Sequence, residues 1–160
     1  MRSRLLSFPL LLLLAGCSAT APDANADRSP DKAPESLQQA QALWEIKGAP
    51  SYQITVTQTC FCAPDLRQPL RVSVSDGEVT AVEGLQQPLT QRDQLDSSRL
   101  TVSGLFGFIE QSAERDPHRL EVEFDARFGF PRRIDYDGHK MIADDEFQYE
   151  LTDFRAVGPD

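Results

Sequence analysis

The chain has 160 residues, a formal net charge of −9, 40% hydrophobic residues and only three cysteines. The acid excess argues against binding nucleic acid or anionic head groups by charge, because like charges would repel both. The length suits a single domain with a real core once the N-terminal segment is set aside.

That segment is built like an export signal. Arg2 and Arg4 give a positive start, Leu5 to Leu14 an apolar core, and Ala15-Gly16 a small pair suited to cleavage. The apolar run is too short for a permanent span, which takes about 20 residues. Cys17 follows the small pair directly, and Leu14-Ala15-Gly16-Cys17 reads as a bacterial lipobox. The expectation is a lipoprotein signal peptide over 1–16, with lipid carried on Cys17. Several acyl chains hold a protein to a membrane far more firmly than the single chain that gives only marginal binding. Ser18, rather than Asp, follows the lipidated position. In a Gram-negative envelope this points to the periplasmic face of the outer membrane rather than the inner membrane. The stretch 17–35 is rich in Ala, Pro, Asp and Ser without apolar periodicity, so it reads as a lipid-anchored flexible tether. The folded domain is then expected over 36–157.

The first element of that domain reads as a helix. Ser36 and Gln39 have the spacing of a capping box, Leu37, Ala40, Leu43 and Trp44 recur at helical intervals, and Gly48 and Pro50 stop it. Tyr52, Ile54 and Val56 alternate with polar residues as a half-buried strand does, and Leu70, Val72 and Val74 repeat the pattern. Asp76-Gly77 then predicts a two-residue hairpin, with Val74 facing Val79 and Val72 facing Ala81. Gly84 to Arg99 is polar and aperiodic, a connection long enough to flank a binding face.

Val102, Leu105, Phe106, Ile109 and Ala113 form the apolar stripe of a second helix, closed by Asp116-Pro117. Three more strands follow: Leu120 to Phe124, a strand around Ile134 and Tyr136, and one through Phe147, Tyr149 and Leu151. Between the first two of these, Asp125, Gly129 and Pro131 carry a turn. The order is a helix and three strands, twice. It predicts an α+β fold with an antiparallel sheet of about six strands in two αβββ halves, both helices packed on one face.

Cys60-Phe61-Cys62 is the one motif with redox or metal chemistry in reach. Residues two apart in a regular strand have Cα atoms about 6.5–7 Å apart, at the upper edge of disulfide geometry. A bond between them therefore needs a bend at Phe61, and Ala63-Pro64 ends the strand there. A structural disulfide, a redox pair, a soft-metal site such as Cu(I) and buried free thiols all remain open. The two histidines, His118 and His139, fit no zinc or nucleophile motif and read as surface residues. Asp144-Asp145-Glu146 with Asp137 upstream lacks the EF-hand spacing and reads as a solvated acidic turn. Glu121, Glu123 and Asp125 sit on the sheet face expected to be wet; a glycosidase would need two carboxylates at a set separation across a cleft, which a sequence does not show. No catalytic residue, metal site or cofactor is expected from these patterns.

Taken in order, Trp44 before Tyr52, Cys60-x-Cys62, Asp76-Gly77-Glu78-Val79, Thr101-Val102-x-x-Leu105-Phe106, Val122-x-Phe124-Asp125, Gly129-Phe130-Pro131, Asp144-Asp145-Glu146 and Leu151-x-x-Phe154 form a pattern. It resembles a bacterial family of short exported domains, many of them lipoproteins, whose function is unknown. The resemblance spans roughly residues 37–155. It implies an α+β fold and the C-x-C feature, and it transfers no catalytic residue. The chain is thus expected to be a membrane-anchored cell-envelope lipoprotein, a non-enzymatic binding or structural module. Its expected contacts are the membrane through Cys17, a protein partner in the envelope, and no nucleic acid. The alternative is a thiol-redox or soft-metal-handling lipoprotein that uses Cys60 and Cys62.

Overall fold

Alternating apolar residues build six strands, and two short helices accompany them. In the computed structural model, which describes residues 32–142 and 144–158, the order is α1 (Leu37–Lys47), β1 (Tyr52–Thr59), β2 (Leu70–Ser75), β3 (Glu78–Gly84), α2 (Val102–Ala113), β4 (Arg119–Phe124), β5 (Pro131–Asp137) and β6 (Glu146–Ala156). The expected signal peptide, Cys17 and most of the expected tether lie outside the described residues. One antiparallel sheet runs β3-β2-β1-β6-β5-β4, so neighbours in sequence pair within each half and the first strand joins the last.

α1 starts where Ser36 Oγ accepts the Gln39 amide at 3.3 Å. The return bond of the capping box is displaced by one residue, since Gln39 Oε1 accepts the Glu35 amide rather than that of Ser36. α2 is capped twice. Thr101 Oγ1 accepts the Gly104 amide, and the buried Tyr52 hydroxyl accepts the Val102 amide at 2.9 Å. Two first-turn donors that would otherwise go unpaired are thereby satisfied. Burial pushes the Tyr52 phenol up, and the bond from Val102 partly opposes it.

The helices are unequal, and this overturns the expected layout with both packed on one sheet face. α2 buries Val102, Leu105, Phe106 and Ile109, each contributing about 1.5–3 kcal/mol relative to exposure. α1 buries only Ala40 and leaves Ile46 80% exposed. Instead of spreading over the strands, α1 rests on the β4–β5 turn. There Gly129, at φ +83, leaves room for the Ala40 carbonyl and Leu43. Trp44 meets Tyr52 and Phe154 edge-on at 5.5 and 5.6 Å. The fold is dominated by its sheet. Much of the core cover comes from the connections, with Leu66 and Leu100 on short 3₁₀ turns and Leu89 on the irregular chain after β3 all buried.

Two bulges correct the expected register. Asp76 and Gly77 take positive φ as the hairpin requires, and Val74 pairs with Val79. A shift after Ser73 then sets Val72 opposite Val82, so Val79 and Val82 both pack against the core and Ala81 does not. A residue added to one strand turns the following side chains to the other face. In β6, Asp153 at φ 53 has the same effect, and Phe154 joins Tyr149 and Leu151 on the core side.

Candidate functional site at the bridged end of the sheet

β1 pairs with β6 as far as Thr59 opposite Gln148, and the chain then leaves the sheet. Pro64 opens a short 3₁₀ turn, Pro64–Leu66, where its fixed φ costs nothing. Between strand and turn, Cys60 and Cys62 are joined by a disulfide with Cα atoms 5.3 Å apart. That separation is shorter than two residues of regular strand, so the backbone bends at Phe61. Phe61 is pushed outward and is 87% exposed. Cys62 packs against the core, whereas Cys60 faces a surface depression of about 380 Å³.

Arg119, Asp135, Tyr136, Glu146 and Phe147 line that depression, together with Phe61. The Arg133 guanidinium, bonded at 2.7 Å, holds the Asp135 carboxyl below the usual carboxylate range. Burial opposes this, and the Gln148 amide at 2.7 Å reinforces it. Arg133 is raised in return, chiefly by its hydrogen bond to Asp135. The depression therefore offers aromatic walls and charges of both signs beside a sulfur.

A second depression, of about 420 Å³, lies on the sheet face opposite the core. Gln53, Arg71, Ser73, Glu83 and Arg155 surround it, and Thr55 there is only 7% exposed. Gln53 Nε2 donates to Ser73 Oγ at 3.1 Å, and Arg71 pairs with Glu83 at 2.9 Å. This face, with its Thr, Glu, Gln and Arg side chains, was expected to be wet. Thr55 shows that part of it is sheltered.

The other sequence candidates stay apart. His139 Nδ1 accepts the Met141 amide in the β5–β6 turn, and the His118 amide donates to the Gly138 carbonyl. Glu123 pairs with Arg132 on the surface, and Asp125 Oδ1 accepts the Arg127 and Phe128 amides. Asp137 is buried at the end of β5, and among the described residues its Oδ1 and that of Asp145 find no partner. Among the described residues no group of three or more His, Cys, Asp or Glu side chains is placed to hold a metal, and no helix is long and apolar enough to cross a membrane.

Sequence reasoning missed Asp65 and Gln68. Asp65 Oδ2 accepts the Thr90 amide at 2.6 Å, the Thr90 hydroxyl at 2.9 Å and the Gln91 amide at 3.2 Å. The Thr90 amide does most to hold the Asp65 carboxyl below its usual range, against the pull of burial. Gln68 accepts from the Gln86 and Gln87 amides and donates to the Asp65 and Gln87 carbonyls. The connection expected to flank a binding face is thus tied down, and only Leu85 of it lines the open-face depression. The one local hint was Pro64-Asp65, a common way to begin a turn.

A family model described as a family of unknown function (DUF6174) matches residues 36–156, most of the chain and nearly all of the described fold. The chain belongs to this family. The match runs from the cap of α1 to the last residue of β6, so the disulfide and both depressions lie inside the family domain. Neither the curated proteins nor the solved structures contain a match to it.

Proposed function

We propose that this member of the family is a cell-envelope lipoprotein, anchored by lipid on Cys17, whose domain is a non-enzymatic binding module. The lipobox-like Leu14-Ala15-Gly16-Cys17 supports the anchor, and in a Gram-negative envelope Ser18 favours the outer membrane. A tether over 17–35 would reach about 20–25 Å as a flexible coil, enough to search a shell just off the membrane. The observation that carries the binding reading is the depression on the open sheet face. It is a recess of about 420 Å³, large enough for a small ligand or a few side chains of a partner. Its rim presents Arg71, Glu83, Gln53 and Arg155, groups that orient a polar partner through directed hydrogen bonds. The natural occupant is another envelope component with a polar surface.

Both parts are open to test in intact cells. A palmitate analogue should label the wild type and fail to label Cys17→Ser. Photo-crosslinkers at Gln53 and Arg155 should trap one discrete envelope species, which Arg71→Glu should abolish. A crosslinker at Gln41, on α1, should trap nothing. Label that persists in Cys17→Ser would remove the anchor. Capture indifferent to Arg71→Glu would remove the open face as the binding surface.

A further inference from the structure

We propose that Cys60–Cys62 is an exchangeable disulfide with unequal sulfurs, Cys60 forming a mixed disulfide with a dithiol-bearing protein segment while Cys62 is the leaving sulfur. The inference goes beyond the binding reading and does not depend on the anchor.

The juxtaposition behind it is the bridged loop beside its depression. Cys60 lines the recess of about 380 Å³, while Cys62 packs against the core next to Ala63. Exchange needs a thiolate to reach one sulfur in line with the bond that breaks, so access decides which sulfur is attacked. Both cysteines are half-buried, and the recess lies on the Cys60 side. Phe61 stands 87% exposed between the cysteines, and Tyr136 and Phe147 form the facing wall. Side chains flanking a partner cysteine would find apolar contact on both sides of the sulfur.

A purely structural role explains less. A link across one intervening residue removes little freedom from the unfolded chain, so its stabilising effect is small. The turn is already held without it. Pro64 fixes the start of the 3₁₀ turn, and Gln58 Nε2 of β1 donates to the Leu66 carbonyl at 3.3 Å.

The chemistry balances with a dithiol as reductant. A partner thiolate attacks Cys60 Sγ, forming a partner–Cys60 bond. The Cys60–Cys62 bond breaks, and its electron pair leaves on Cys62, which takes a proton. The partner's second thiolate then attacks its own sulfur in the mixed disulfide and releases Cys60 as a thiolate, which is protonated. The partner dithiol is oxidised by two electrons and the Cys60/Cys62 pair is reduced. A small disulfide such as oxidised glutathione reverses the cycle, with Cys60 attacking and Cys62 resolving.

The test uses the full-length chain with Cys17→Ser in every arm, so that only Cys60 and Cys62 report. The oxidised protein is titrated with mixtures of reduced and oxidised glutathione, and alkylated products are weighed by intact mass. Two thiols should appear within the range of mixtures where both forms of glutathione are abundant, with the circular dichroism of the domain unchanged. Cys62→Ser should collect a glutathione adduct on Cys60 about tenfold faster than Cys60→Ser collects one on Cys62. A bridge that survives a large excess of reduced glutathione would overturn the proposal. So would loss of the fold on reduction, which marks a structural pin, or equal adduct rates in the two variants. The wild-type titration decides the exchange even if a cysteine variant does not fold.

Discussion

The two halves of the sheet are covered by different means. Over β4 and β5 the cover is α2, and its seam is apolar: Leu105, Phe106 and Ile109 below, with Phe108 edge-on to Tyr136 and Tyr149 at 5.7 Å. Against β1, β2 and β3 the cover is irregular chain, residues 64–68 and 84–95, stitched by buried polar side chains. Gln58 of β1 reaches the Leu66 carbonyl, the Leu85 amide the Pro69 carbonyl, and Arg92 the Val82 carbonyl of β3. An apolar seam resists because water gains nothing by entering it. A polar seam resists only while every partner stays in place.

The sharpest way to break the contrast is to damage the apolar side. Leu105 is fully buried, so Leu105→Ala removes three heavy atoms from the core and leaves a cavity. The expected loss is about 2–5 kcal/mol. It should appear in denaturant unfolding as a lower midpoint with an unchanged slope. The whole domain should yield together, because the α2 stripe lies in the same cluster as Ile54, Val72 and Leu151. A loss below about 1 kcal/mol would show that the α2 seam is not the main support.

Next in size is Gln68→Ala, which strikes the polar cover. Gln68 is 3% exposed and serves the Gln86 and Gln87 amides and two carbonyls. Removing it leaves those groups short of partners at an expected cost of about 1–3 kcal/mol. The loss should be local, with amide exchange rising at Gln86 and Gln87 before it rises at Leu105. Global exchange instead would mean that the two covers fold as one unit.

The same contrast explains what the sequence made legible. The α2 stripe, the β1 alternation and the Asp76-Gly77 turn are local codes, repeated every 3.6 or 2 residues or fixed by positive φ. They were readable as they stood. The bulges after Ser73 and at Asp153 shift a register by one residue without altering composition, so Val82 rather than Ala81 came to face Val72. The helix layout failed for a related reason. The α1 pattern gives its helical period but not the area it buries, and Ile46 of that helix points outward. Asp65 meets Thr90 across 25 residues of chain, a pairing that no period encodes. At the candidate site the C-x-C spacing exposed the need for a bend. Which cysteine faces the recess depends on the partner strands, and Cys60 next to Phe147 and Glu146 was visible only once β1 met β6.

The smallest expected effect comes from pH, and it separates the covers without any mutation. Asp65 is the carboxylate inside the polar seam, and the Thr90 amide first of all holds its folded pKa below the ordinary value. A depressed carboxylate contributes stability that is present above its unfolded pKa, about 3.9. That contribution is lost as pH falls through the lower folded value, because the protonated carboxyl accepts the Thr90 and Gln91 amides poorly. The Leu105 to Ile109 stretch of α2 carries no ionisable side chain, so its seam has no matching sensitivity. Exchange protection, corrected for intrinsic rates, should hold at Thr90 and Gln91 down to about pH 4 and decline below it. Protection at Leu105 and Ile109 should stay level over that first decline. Asp65→Asn should flatten the response at Thr90, since an amide side chain does not titrate. A Thr90 profile that still declines in Asp65→Asn would place the sensitive group elsewhere, with Asp135 beside Arg133 as the next carboxylate to replace.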